Sequence, residues 1–250
     1  MQRVAALYDI HGNLPALEAV LAEVKLLAVD AIVVGGDVLP GPMPAECLTL
    51  LASTGIRTEY IVGNGESAAR EALLGQVPER VPEPFRPLVQ WSAAQLPDEF
   101  AAAIRGWPLT TELEIDGIGR VLFCHATPRN DTEIVTKLSP MDRLRTVLVD
   151  VHSDLVVCGH THMQFDIMVD AVQLVNAGSV GMPFGAPGAY WLLLGPDVQL
   201  RDTRYDLEAA ADRLRRSEFP GVSDYVSRQV LNPPSEDHML AAYARVDGRS

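Results

Sequence analysis

The chain alternates short apolar runs with amphipathic stretches, and the apolar runs repeatedly stop on a polar residue. Residues 4–8 read as a buried strand ending at Asp9. A helix is predicted over 14–27, capped by Asn13, with Pro15 in its first turn and Leu14, Leu17, Leu21 and Val24 on one face. A second strand over 31–34 ends in Gly35-Gly36-Asp37, a short helix covers 45–52, and a third strand over 58–62 ends in Gly63-Asn64. This alternation predicts a parallel sheet with crossover helices, an α/β fold.

The pattern then changes. Residues 66–107 carry Pro78, Pro82, Pro84, Pro87 and Pro97 and show no strand alternation, so short helices, including 88–96 and 98–104, are expected to lie across the surface. A hairpin over 109–115 and 120–124, joined by Asp116-Gly117-Ile118-Gly119, delivers His125. Ser139 caps a helix with Pro140 at its first position. A strand over 155–158 delivers Gly159-His160-Thr161-His162. Further strands are predicted over 165–169, 172–175, 190–194 and 198–205, an antiparallel half forming a second sheet packed on the first. After Asp206 the pattern is helical over 207–216, 222–230 and 236–244. The expected division is one domain over 1–205, with 66–107 as a helical rim segment, and a helical extension over 206–250 packed on it.

Seven residues stand just beyond predicted strands: Asp9, His11, Asp37, Asn64, His125, His160 and His162. Ligands bind beyond the carboxyl ends of open α/β sheets, so these positions share one candidate site. The chain has six histidines, and only His152 and His238 fall outside this set. Each piece alone has an ordinary reading: Asp9 and His11 as loop residues, Gly36-Asp37 and Gly63-Asn64-Gly65 as turns, His125 as a hydrogen-bonded histidine. Gly-His-Thr-His is the strongest piece. Together they form a ligand set for divalent first-row metals, since imidazole and carboxylate suit Mn, Fe, Co, Ni and Zn. Two ions about 3.5–4 Å apart would need a bridging carboxylate.

Composition narrows the partners. The 250 residues carry 20 basic and 33 acidic side chains, a net charge of −13, and Arg213, Arg215 and Arg216 form the densest basic cluster. Extended nucleic acid is therefore not an expected partner, because its affinity comes from neutralising phosphates. A small phosphorylated substrate held by metal remains open. Cys47, Cys124 and Cys158 form no CxxC pair, and Cys124 and Cys158 read as buried strand residues. No apolar run approaches the ~20 residues of a membrane span, and the first residues lack a signal-peptide core. A cytoplasmic location is expected.

The ordered series D-x-H, G-D, G-N, H, G-H-x-H resembles that of the calcineurin-like metallophosphoesterase superfamily. The length and Asn176-Ala177-Gly178-Ser179-Val180-Gly181 make the short bacterial phosphodiesterase branch the most similar. The resemblance spans residues 9–181. It implies a four-layer αββα sandwich, two mixed β-sheets flanked by helices, and two divalent metal ions with manganese favoured. It implies that Asp9, His11 and His162 hold one ion, that Asn64, His125 and His160 hold the other, and that Asp37 bridges them. On this resemblance a hydroxide between the ions attacks phosphorus, and Asp37, Asn64 and His125 carry catalytic roles. Asn13, Asn64 and Arg129 are candidate substrate contacts, with helix capping and a surface position as the plainer readings of Asn13 and Arg129.

One position departs from the family. The usual G-N-H-D or G-N-H-E, whose His is thought to protonate the leaving group or contact phosphate, is here Gly63-Asn64-Gly65-Glu66. An empty position at Gly65 predicts slow turnover of esters with poor leaving groups, since general acid catalysis contributes ~10²–10⁴-fold. It also predicts a gain from Gly65→His. Glu66 is either a substitute acid acting through water or a helix cap. Three functions follow: a phosphoesterase, most simply a phosphodiesterase; a non-catalytic metal-binding scaffold of the kind a retromer subunit represents; and a nuclease, which the acidity disfavours.

Overall fold

The computed structural model describes residues 1–76 and 78–246. Residue 77, within the expected rim segment, and 247–250, the end of the expected C-terminal extension, lie outside the described residues. The strands and helices in chain order are β1 (Val4–Leu7), α1 (Leu14–Leu26), β2 (Ala31–Val34), α2 (Pro44–Ala52), β3 (Arg57–Tyr60) and α3 (Asn64–Ala72). Then come α4 (Arg86–Ala94), α5 (Asp98–Ala103), β4 (Thr110–Ile115), β5 (Gly119–Cys124), α6 (Met141–Val147) and β6 (Leu155–Cys158). The chain continues with β7 (Phe165–Val169), β8 (Val172–Asn176), β9 (Ala189–Leu194), β10 (Val198–Thr203), α7 (Leu207–Leu214), α8 (Val222–Tyr225) and α9 (Glu236–Tyr243).

Two mixed five-stranded sheets lie between helices. The first has the order β10-β9-β1-β2-β3, with β1, β2 and β3 parallel and β9 and β10 antiparallel. The second has the order β4-β5-β6-β8-β7, with β5, β6 and β8 parallel.

Burial on both faces explains the unbroken apolar runs. Ala5 and Leu7 of β1 and Ile32 and Val34 of β2 pack outward with α1 and α2, while Val4, Ala6, Ala31 and Val33 pack inward. There they meet Val121, Phe123, Leu155 and Val157 of the second sheet. Beyond that sheet, Cys124, Val156 and Cys158 pack on Leu144 and Val147 of α6. All three cysteines are free and buried, Cys124 and Cys158 as their apolar context predicts. Among the described residues, no helix is long and apolar enough to cross a membrane.

Two sequence expectations need correction. The strands near 190 and 200 do not join the second sheet; β9 pairs with β1 and β10 pairs with β9. The reason is two-sided burial. Ala189, Trp191 and Leu193 face the outer helices while Leu192 and Leu194 face the second sheet, so β9 fits only as an interior strand. Ser139 does not cap α6; Pro140 holds the cap position and the Ser139 hydroxyl accepts from Thr136 N at 3.0 Å.

Candidate metal centre

All seven candidate ligands follow strand ends, and five of them turn inward through unusual backbone. Asp9, His11, Asp37, His160 and His162 have φ between 46° and 65°. Among the described residues only two other non-glycine residues, Ala28 and Asp170, have positive φ. Left-handed backbone costs energy outside glycine and concentrates where geometry serves a site. Gly36 has no such cost at φ 89°, and a Cβ there would strike Gly63 and the His125 ring. The loop ends can thus approach closely enough to share ligands.

Asp9 and Asp37 occupy the centre. Asp9 Oδ1 lies 3.3 Å from His162 Nε2 and 3.9 Å from both His11 Nε2 and His125 Nε2. Asp9 Oδ2 accepts from His160 N at 2.8 Å, while Oδ1 is buried without a hydrogen-bond partner. Asp37 turns Oδ1 toward His125 Nε2 at 3.6 Å and Oδ2 toward His11 Nε2 at 3.8 Å, one oxygen for each half of the site. Asp9, His11 and His162 form one group able to hold an ion, and Asp9, Asp37 and His125 another, with donor atoms within 4.8 Å of one another.

The tautomers follow from the backbone. His11 Nδ1 faces Pro40 O at 3.1 Å, His125 Nδ1 faces Gly35 O at 2.9 Å, and His162 Nδ1 faces Met182 O at 2.6 Å. His160 Nε2 faces Thr132 O at 3.2 Å. A carbonyl only accepts, so each of these nitrogens carries the proton and each opposite nitrogen bears an inward lone pair. That arrangement orients metal-binding imidazoles. His11 Nε2 and His162 Nε2 then meet at 3.3 Å with no proton between them when both rings are neutral. The Asn64 amide terminus sits 3.1 Å from His125 Nε2 and 2.8 Å from His160 Nδ1. Its NH₂ end satisfies two lone pairs, and its oxygen suits a cation placed there.

The electrostatics say the same. Burial lifts the Asp37 carboxyl to about 8, with Glu66 and Asp9 adding to the lift against His125. Burial also opposes charge on Asp9, yet His162, His125 and His11 together hold its carboxyl well below the usual range. Burial disfavours imidazolium at His125 and His162, but Asp37 and Asp9 raise the first and Asp9 raises the second. Burial holds His11 and His160 down at about 3. An orphaned carboxylate oxygen and convergent lone pairs fit divalent cations, and without metal the site draws protons instead.

A pH prediction follows. Above about pH 6.5, the unperturbed histidine value, His11 and His160 are neutral in both folded and unfolded chains and give no slope. Asp37, His125 and His162 have folded pKa values above their unfolded ones, so folding binds protons there and metal-free stability falls as pH rises through those values. Metal ions replace those protons. The gain in Tm from Mn²⁺, about 5–10 °C at a hundredfold excess over Kd, is expected to be larger near pH 8.5 than near pH 6.5. Differential scanning fluorimetry with EDTA-treated protein checks this; an equal or smaller gain at the higher pH contradicts it.

Other candidate residues have different partners. Asn13 is fully buried, accepts from Ala16 N at 3.2 Å as the α1 cap, and donates to Gly181 O and the Tyr205 hydroxyl. Arg129 pairs with the buried Glu133, which also takes the Thr127 hydroxyl. Neither lines the cavity over the site. Glu66 is fully buried and does not line the cavity. Its carboxylate accepts from Asp37 N, Val38 N, Leu39 N and Gly63 N at 2.7–3.3 Å, tying the Asp37 loop to the start of α3.

Gly65 is a further correction. The space beside it is filled, because a Cβ built there runs into the Leu39 carbonyl oxygen, and Gly65 N donates to Asp37 Oδ1 at 2.7 Å. A histidine there has no room.

A cavity of about 660 Å³ opens over His11, Asp37, Asn64, His160 and His162. The segment 66–107 supplies one wall through Val81, Pro82, Phe85 and Leu88. The sequence did not signal the other wall, Phe219 to Gln229. This stretch packs through Val226 and Val230 into a cluster with Leu214 of α7, and Tyr225 donates its hydroxyl to His11 O at 2.9 Å.

The chain belongs to the calcineurin-like phosphoesterase superfamily, whose domain profile matches residues 2–195. It is 27% identical over 238 residues to an uncharacterized protein of Methanocaldococcus jannaschii, covering 87% of this chain and 93% of that one. The crystal structure of a metallophosphoesterase from Sphaerobacter thermophilus is similar at a TM-score of 0.70 and 25% identity, covering 91% of this chain and 97% of that one. A hypothetical protein from Pyrococcus horikoshii OT3 shares the fold at a TM-score of 0.79 and 19% identity, covering 94% and 100%.

Proposed function

We propose that the chain is a metal-dependent phosphodiesterase for small organic phosphate esters. The observation that carries this reading is the fourfold pinning of imidazoles by backbone carbonyls. It leaves four lone pairs and two buried carboxylates aimed at one space. Asp9, His11 and His162 would hold one cation and Asn64, His125 and His160 another, with Asp37 between them. Two such cations supply an activated water and neutralise charge that develops on phosphate oxygens. The donor set contains imidazole, carboxylate and amide without thiolate, and manganese is the favoured member of the Mn, Fe, Co, Ni and Zn group.

The chain's own groups set the geometry and restrict the chemistry. His11, His160 and His162 form the cavity floor together with Asp37 and Asn64. Glu66 fixes the Asp37 loop from a buried position outside the cavity lining, and Gly65 has no side chain to protonate a leaving oxygen. A non-catalytic metal-binding scaffold is the second reading, favoured by that same missing acid.

Hydrolysis of a series of aryl phosphodiesters with added Mn²⁺ separates the two. Metal-stimulated turnover that falls steeply as leaving-group pKa rises is expected. Equal rates across the series would show that a proton donor has been overlooked, and no metal-stimulated turnover of bis-p-nitrophenyl phosphate would favour the scaffold.

A further inference from the structure

We infer that the substrate is a monoanionic phosphodiester bearing at least one bulky, apolar ester group of aryl size, seated between the rim segment and the C-terminal segment. This inference rests on the phosphoesterase reading and specifies its substrate class. The cavity, about 660 Å³, falls in the range of sites that enclose whole organic ligands rather than a bare phosphate. Its floor is the candidate metal centre, and above the floor the walls are largely apolar.

Phe85 stands on one wall with 54% of its surface exposed, an unusual exposure for a large apolar ring. Phe219 stands on the other and is fixed there, edge-on to Trp91 at 5.4 Å and to Tyr225 at 5.7 Å between ring centroids. Tyr225 in turn is bonded to the His11 carbonyl, so this wall is tied to the loop that carries a candidate ligand. The second wall lies beyond residue 195, where the family profile ends.

Charge sets the ionic state. Two arginines line the cavity. Arg80 is paired with Glu71 at 2.6 Å, whereas Arg228 has no carboxylate partner among the described residues. Asp224 lines the same space and repels additional anionic groups. One unpaired guanidinium in a chain of net charge −13 leaves the walls little basic charge beyond the metal centre, too little for a polyphosphate or a polynucleotide. Arg228 sits in the π-helical segment Val226–Leu231, a rare backbone form often found at functional sites.

Two non-hydrolysable anions of equal charge provide the test, diphenylphosphinate and dimethylphosphinate. Their binding to manganese-loaded protein is measured by calorimetry. The diphenyl compound is expected to bind about tenfold tighter or more, the factor that added apolar burial supplies. Phe85→Ala and Leu88→Ala are each expected to shrink that ratio several-fold, with the fold checked by circular dichroism. Methyl p-nitrophenyl phosphate and bis-p-nitrophenyl phosphate, which share a leaving group, are compared for kcat/KM alongside.

A tenfold binding ratio without turnover leaves the ligand class standing, as a bound ligand and not a substrate, and removes the catalytic reading. Turnover of both esters at equal kcat/KM, with equal phosphinate binding, overturns the inference and keeps the catalytic reading. Failure to bind either anion overturns both.

Discussion

Asp37→Ala is expected to abolish manganese-stimulated hydrolysis of bis-p-nitrophenyl phosphate, with a loss of at least ~10²–10³-fold, as for removal of a preorganised electrostatic contact. The reason is geometric. Asp37 is the residue whose two oxygens face different halves of the site, His125 on one side and His11 on the other. Asp9 reaches both halves through one oxygen only: its Oδ1 lies 3.3 Å from His162 Nε2 and 3.9 Å from both His11 Nε2 and His125 Nε2, while its Oδ2 is used by the His160 amide. The same substitution removes a buried carboxyl that burial lifts to about 8, so the metal-free variant gives up a group whose ionisation the fold opposes. The variant should therefore keep its circular dichroism and lose most of the metal-induced gain in Tm. Activity within a few-fold of wild type, or an undiminished Tm gain, contradicts the assignment.

Substitutions at Gly65 are expected to cost stability and return no rate. A Cβ there meets Leu39 backbone, which cannot move aside like a flexible side chain. That loop is held by three amide hydrogen bonds to Glu66, so displacing Leu39 also strains the contacts that place Asp37. Gly65→Ala is expected to destabilise by ~1–3 kcal/mol, as overpacking a filled site does. In a domain of this size that lowers Tm by roughly 2–12 °C. Gly65→His should be worse, with slower hydrolysis. A Gly65→His variant that melts at the wild-type temperature and turns over faster would restore the view of an empty position.

The contrast at Gly65 marks where sequence reasoning stops. Local pattern located the strand ends well, because β1, β2 and β6 are short apolar runs buried on both faces and their stops are abrupt. Each stop places a candidate ligand, so the seven positions that converge were all visible along the chain. That Leu39 occupies the space beside Gly65 was not, because it depends on a contact between two loops 26 residues apart. Glu66 shows the same limit. A capping reading accounts for its bond to Gly63 N, whereas the bonds to Asp37, Val38 and Leu39 are tertiary.

Sheet membership failed for a related reason. Alternation in β9 predicts a strand but not its partner, and the partner is β1, at the opposite end of the chain. The C-terminal wall of the cavity had no motif to announce it. Phe219 falls between two predicted helices and Tyr225 within one of them, and their position over the site comes from packing with Leu88, Trp91 and Met182.

Anomalous diffraction from manganese-loaded crystals addresses the central claim most directly. Two peaks are expected, one among Asp9, His11 and His162 and one among Asn64, His125 and His160, with Asp37 contacting both. A map without peaks at this site, or with the four imidazoles turned away from one another, would contradict it.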